Sequence, residues 1–217
     1  MDIVCYVFDG ITALDIVGPY EVLARLPGAT TRFVGEKAGP VRTDNQILGI
    51  VADHARADVA AADILVMPGG FATRNLEHDA ALLEWIRAID AGSTWTTSVC
   101  TGSMLLAAAG LLEGKEATTH WASLDRLKEY GAIPTTKRVV EQGKYVTAAG
   151  VSSGIDMALT LVARIAGDEI AQAIQLSIEY DPQPPFDSGS LAKAPKPVAD
   201  LVRGVMEERQ RAVSGSR

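Results

Sequence analysis

The chemistry of this chain can start at one cysteine. Ser98-Val99-Cys100-Thr101-Gly102 ends an apolar run and opens a helix-like one, and its small flanking residues suit a sharp turn that holds the thiol clear. A thiol at a helix N-terminus meets unpaired N–H groups and the positive end of the helix dipole, which favour the nucleophilic thiolate. Free cysteines more often fill cores. The strand–turn–helix setting nevertheless reads as a reactive thiol at Cys100, whereas Cys5, inside the first apolar run, reads as core. Asp15, between Leu14 and Ile16 at a helix start, has N-capping as its ordinary role and a carboxyl group facing the same crevice as its functional one. Pro68-Gly69-Gly70 stops the Ile64–Met67 run, and its glycines let backbone N–H groups approach an anion or oxyanion closely.

A second elbow competes. Gly150-Val151-Ser152-Ser153-Gly154 satisfies the G-x-S-x-G pattern of serine hydrolases, but those enzymes place a base histidine after the serine. No histidine follows His120, so the serines lack an activator and the segment reads as a turn that lets a helix pack on the sheet. His120 itself, beside Trp121, is equally a satisfied core histidine, a support to the site or a base. His54, His78 and His120 are far apart, no CxxC pair exists, and neither phosphate-loop nor dinucleotide-binding glycine pattern occurs. Neither metal nor nucleotide is expected.

The elements that must carry these residues alternate. Strands are predicted at Asp2–Phe8, Thr31–Gly35, twice within Val41–Val51, at Asp63–Met67, Thr94–Val99 and Ala117–His120, with a hairpin of Arg138–Val140 and Tyr145–Ala149. Helices are predicted at Asp15–Leu26, Asp79–Ala91, Gly102–Leu112, Ser123–Tyr130, Ile155–Ile165, Glu169–Tyr180 and Val198–Arg211. This order implies an α/β fold: a mainly parallel, flavodoxin-like sheet with helices on both faces, whose chemistry lies at the carboxyl ends of the strands. One domain over 1–217 is expected, with a proline-rich arm at about 181–197 holding five of the ten prolines and then one last helix.

Composition narrows the function classes. A net charge of −7 argues against nucleic-acid or anionic-membrane partners. The stretch Gly92–Leu112 lacks charge, but hydroxyl residues, glycines and a cysteine interrupt it, so a buried strand and helix fit better than a membrane span. Two cysteines cannot form a disulfide framework, and the N-terminus lacks the basic and apolar regions of a signal peptide; a cytoplasmic protein is expected.

Together, Leu14–Val22, Pro68-Gly69-Gly70, Val99–Gly102, Ala117–Trp121 and Ala149–Asp156 resemble the class I glutamine-amidotransferase-like superfamily, in the branch of PfpI-like proteins, deglycases and isonitrile hydratases. Thr101 stands where the proteases carry histidine, and Asp15 stands where deglycases carry a longer glutamate. The helix-turn-helix module that follows such domains in AraC-type regulators is not expected. The set Asp15, Cys100 and Thr101, with the arm Tyr180–Gly189, is most similar to isonitrile hydratases. That resemblance implies hydration of a small-molecule isocyanide to an N-substituted formamide, without a cofactor, in a homodimer. Cys100 would be the nucleophile and Asp15 the acid/base, with the Gly70 and Thr101 N–H groups orienting the ligand and Val151 lining the pocket. A glyoxalase or deglycase, or a cysteine redox sensor or ligand-binding protein, is the alternative.

Overall fold

The computed structural model describes residues 1–214. Its strands are β1 (Asp2–Tyr6), β2 (Thr30–Gly35), β3 (Gly39–Arg42), β4 (Gly49–Ala52), β5 (His54–Ala55), β6 (Ile64–Met67), β7 (Trp95–Val99), β8 (Glu116–Ala117), β9 (Ile133–Pro134), β10 (Val139–Gln142) and β11 (Tyr145–Ala148). The helices are α1 (Ala13–Leu23), α2 (Thr73–Leu76), α3 (Ala80–Gly92), α4 (Gly102–Ala108), α5 (Ser153–Ala166), α6 (Asp168–Ser177) and α7 (Lys196–Ser214), with 3-10 turns at Arg56–Asp58 and Trp121–Tyr130.

Seven strands form one sheet in the order β10-β11-β7-β6-β1-β2-β5, parallel throughout except for the antiparallel β10–β11 pair. β1 and β6 read as unbroken apolar runs because they are covered on both faces: Ile3, Val4, Cys5, Ile64, Leu65, Val66 and Met67 are all fully buried. α1 packs on α5 and α5 on α6, while α4 packs on β6, β7 and α3. α3 starts where Asp79 Oδ1 accepts the Leu82 N–H at 3.0 Å, a cap worth about 1 kcal/mol. At the far end of the sheet, Asp90 gathers the Thr96 hydroxyl at 2.6 Å, the Tyr145 hydroxyl at 3.2 Å and the Lys144 ammonium at 3.2 Å.

From β1 the chain builds outward through β2 and β5, then returns to the other side of β1 through β6, β7 and β11. The reversal opens a crevice beyond the carboxyl ends of β1 and β6, where open α/β sheets bind ligands. The expected α/β architecture is therefore present. The details differ where short-range forces decide. The Val41–Val51 strands pair with each other as a separate two-stranded sheet, β3–β4. The strand expected over Ala117–His120 ends at Ala117, because Thr118 and Thr119 spend hydrogen bonds on Thr147 and Cys100. The helix expected over Ser123–Tyr130 is a 3-10 run closed by Gly131 at φ 74°. α4 stops at Ala108, short of Leu112, and α6 at Ser177, short of Tyr180.

By packing, Met1–Ile178 is one compact unit and a second begins at Glu179. In the second, the stretch from Glu179 to Pro195 holds neither helix nor strand, and α7 follows. Among the described residues no helix is long and apolar enough to cross a membrane.

Candidate active site

Four strand ends converge on Cys100. The residue leaves β7 with φ 56°, a left-handed conformation that is costly for a side chain with Cβ and persists only where the surroundings hold it. Its N–H donates to the carbonyls of Ala148 and Ala149, at 3.1 and 2.7 Å. Its carbonyl accepts the Thr119 hydroxyl at 2.8 Å and the Ser103 hydroxyl at 3.1 Å. Gly102 must be glycine: a Cβ there would collide with the Met67 carbonyl as α4 leaves the sheet. The elbow is thus a strained backbone tied down from both sides, with Cys100 almost enclosed at 6% exposure.

Asp15 comes to the sulfur from the first turn of α1. It is fully buried; Oδ2 accepts the Gly69 N–H at 2.9 Å, and the carboxyl lies within hydrogen-bonding reach of the Cys100 thiol. Burial is the main cause that pushes this carboxyl up from 3.8 to about 7; the Gly69 N–H and the thiol pull it down, and the charge of Asp44 adds slightly to the rise. Burial and the Asp15 charge push the Cys100 thiol well above its ordinary value, against the pull of the Thr101 and Val151 N–H groups. The expected depression of the thiol by its helix N-terminus does not occur. Two backbone N–H groups cannot offset the loss of water at a sulfur this enclosed. The pair therefore holds one proton and one negative charge just above neutrality, and the two groups titrate together.

The glycine loop after β6 is brought to the site, with its roles divided differently from expectation. The Gly70 N–H, expected to face a ligand, donates to Thr101 Oγ1 at 3.0 Å, and that hydroxyl lies 3.2 Å from the Gly70 carbonyl. The Gly69 N–H, which the sequence left unassigned, holds Asp15. A Cβ on Gly69 would lie 2.6 Å from Thr101 N and 2.8 Å from Asp15 Oδ2, so the loop, the acid and the elbow touch through that glycine. Val151 enters from the β11–α5 turn with φ 21°, its N–H directed to the Cys100 sulfur. His120 lies beside this turn, its ring edge against Gly150.

A buried ion pair braces one wall. Glu77, just past α2, accepts Arg126 Nη2 at 2.5 Å with only 2% of its side chain exposed, joining the segment after Gly70 to the 3-10 turn after His120. Neither residue carried a signal in the sequence beyond being charged. Among the described residues no group of three or more His, Cys, Asp or Glu side chains can hold a metal ion.

A nearly enclosed cysteine on a strained elbow after β7, paired with an acid from the first helix, defines a class, and the chain belongs to it: the DJ-1/PfpI family, whose model matches residues 1–164. Among its relatives is the isonitrile hydratase of Pseudomonas putida, 44% identical over 196 residues, which cover 90% of this chain and 86% of that protein. A ThiJ/PfpI family protein from Pseudomonas syringae has the same structure with a TM-score of 0.92 at 37% identity, covering 99% of this chain and 90% of that one. DJ-1beta of Drosophila melanogaster, with a TM-score of 0.74 at 22% identity over 83% of this chain and 98% of that one, shares the fold.

Proposed function

We propose that this protein is an isonitrile hydratase, a carbon–nitrogen hydro-lyase that adds water to an isocyanide to give an N-substituted formamide. The observation that carries this reading is the fully buried Asp15 carboxyl set beside Cys100 on its elbow, because the reaction needs one nucleophile and one proton carrier at the same carbon. The likeness to the Pseudomonas putida enzyme over nine-tenths of the chain supports it.

As Cys100 Sγ attacks the terminal carbon of R–NC, the Asp15 carboxylate takes the thiol proton and returns it to that carbon. The sulfur lone pair becomes the C–S bond, and the product is the thioimidate R–N=CH–S–Cys. Asp15, ionised again, removes a proton from water as its oxygen adds to the carbon. The C=N π pair moves to nitrogen, which takes the proton from Asp15. Asp15 then takes the hydroxyl proton while C=O forms and C–S breaks, and the departing sulfur reclaims it. The sum is R–NC plus water giving R–NH–CHO, with the pair restored and no cofactor consumed.

The Thr101 and Val151 N–H groups steady sulfur whenever it carries charge, and Gly69 fixes Asp15 on its other oxygen. Gly70 acts by clamping the Thr101 side chain. The reading extends to a homodimer working in the reducing cytoplasm, where Cys100 stays a thiol. Light scattering returning only a ~23 kDa species at micromolar concentration would refute the dimer.

The test of the activity is incubation with an aryl isocyanide and, separately, with methylglyoxal, following formamide and lactate by mass spectrometry. Formamide formed by the native protein and absent with Cys100→Ala is the expected result. Lactate without formamide would move the protein to the glyoxalases, and neither product would leave a thiol sensor.

A further inference from the structure

The start of α1 departs from the way helices usually close, and the departure frees Asp15. An acid three residues after a threonine N-cap normally reaches back to the N–H of that threonine, while the threonine hydroxyl accepts an N–H of the first turn. Here Thr12 is the N-cap and Asp15 lies in the first turn. The Thr12 N–H is spent on the Gly69 carbonyl at 3.0 Å, and the Thr12 hydroxyl makes no cap bond. Asp15 is left with the Gly69 N–H and the Cys100 thiol.

The Thr12 hydroxyl goes elsewhere: it donates to Asp44 Oδ2 at 3.2 Å. Asp44 follows β3, in the turn that leads to β4, and this turn is strapped to the segment before α1. The Asp44 N–H donates to the Ile11 carbonyl at 2.9 Å, the Gly10 N–H donates to the Arg42 carbonyl at 2.7 Å, and Asp9 Oδ1 accepts the Arg42 N–H at 2.7 Å. Ile11 also bridges both Thr43 and Gly70. The separate β3–β4 sheet thus delivers one carboxylate to the start of α1, where the helix dipole favours negative charge. The Asp44 charge also acts on Asp15, with Cys100 the other titratable group that does so, and it favours the protonated carboxyl.

Building on the isonitrile reading, we propose that Asp44 and Thr12 are positioning residues for the reaction: the Asp44 carboxylate, tied to the Thr12 hydroxyl, stands in for Asp15 at the start of α1 and leaves Asp15 to serve the thiol. Without that tie, the first-turn N–H groups of α1 compete with Cys100 for the Asp15 carboxyl. A carboxyl that turns back to cap its own helix is withdrawn from the carbon it must protonate. Neither Asp44 nor Thr12 touches the substrate or moves a proton; both act through Asp15.

Three variants, followed with an aryl isocyanide and with iodoacetamide, test this. Thr12→Val removes the hydroxyl at nearly constant shape, and Thr12→Ser keeps it. Thr12→Val is expected to lower kcat at least about tenfold with KM within roughly threefold, the cost of a misplaced proton carrier. It should also alkylate Cys100 faster than the native protein at about pH 8, because the Asp15 charge that opposes the thiolate has turned away. Thr12→Ser should recover both. Asp44→Asn leaves an oxygen for the Thr12 hydroxyl and removes the charge, so the rising limb of kcat/KM should move to lower pH. A helix cap of structural worth alone would not move that limb. Native kcat or native alkylation in Thr12→Val, or a limb at the native pH in Asp44→Asn, overturns the proposal while leaving the isonitrile reading intact. A native protein that forms no formamide overturns the isonitrile reading, and the alkylation rates of native protein and Thr12→Val then decide the positioning of Asp15 by themselves.

Discussion

Replacing Asp15 with asparagine should make the protein more stable above neutrality while removing its chemistry. The carboxyl is raised from 3.8 to about 7 in the fold, chiefly by burial. At ~1.4 kcal/mol per tenfold change in proton affinity, ionising it inside the fold costs on the order of 4 kcal/mol relative to the unfolded chain. The folded value is the higher one, so as pH rises the unfolded chain loses its proton first, near pH 4. The folded chain follows near pH 7. Stability falls across that window and is level above it, the reverse of a carboxylate held by a salt bridge. Between about pH 5 and about pH 8.5 the Asp15 contribution is a loss of roughly 3 kcal/mol. Asparagine keeps the shape, can accept the Gly69 N–H through its carbonyl, and points its amide at sulfur without a charge to bury. Urea unfolding of native protein and Asp15→Asn at both pH values reads the effect as a difference of differences, in which the other titrating groups cancel. The native protein should lose roughly 3 kcal/mol more than the variant on going to the higher pH. Equal losses in the two proteins would refute the account of Asp15 as a carboxyl ionised against its surroundings.

Four further outcomes follow from the same geometry. The kcat/KM for an isocyanide should rise with pH through a limb near 7, where Asp15 becomes available as a base; a profile flat from about pH 5 to 8 contradicts this. Asp15→Asn should alkylate with iodoacetamide faster than the native protein at about pH 8, because the charge opposing the thiolate is gone; a slower rate contradicts it. Gly69→Ala, whose Cβ would press on Thr101 N and Asp15 Oδ2, should cost on the order of 1–3 kcal/mol in urea unfolding and lower turnover at least about tenfold. Glu77→Ala leaves Arg126 without its buried partner and should cost about 3 kcal/mol, whereas a change below ~0.5 kcal/mol would show the pair to be dispensable.

Much of this site was legible because it is built from short-range signals. The elbow around Cys100 and the acid at the start of α1 each sit where a strand pattern turns into a helix pattern, and the sheet topology does the rest. What the sequence could not show is which backbone N–H meets which side chain. Gly69 and Gly70 are adjacent and chemically identical, and only the folded loop assigns one to Asp15 and the other to Thr101. The thiol's proton affinity was misjudged for a related reason: a helix N-terminus is visible in a sequence, while the surroundings of one sulfur are set by residues as far apart in the chain as Asp15 and Val151. The Glu77–Arg126 brace joins residues 49 positions apart and has no local pattern. Likewise β5, with two residues, is too short for any periodicity to reveal.

The brevity of β5 bears on how this molecule fails when it is stressed. One margin of the main sheet is that two-residue strand, and the other is β10, which carries Glu141 and Gln142. Neither offers a long apolar ladder on which a second chain could template. The segments with real aggregation hazard, Ile3–Val7 and Ile64–Met67, are locked in the middle of the sheet and covered on both faces. Fibril or precipitate formation must then wait for the sheet to open, so its rate should track the population of unfolded chains and not the concentration of native protein alone. Alkaline storage, which ionises Asp15 at the carboxyl ends of those same two strands and weakens the fold, would shorten shelf life.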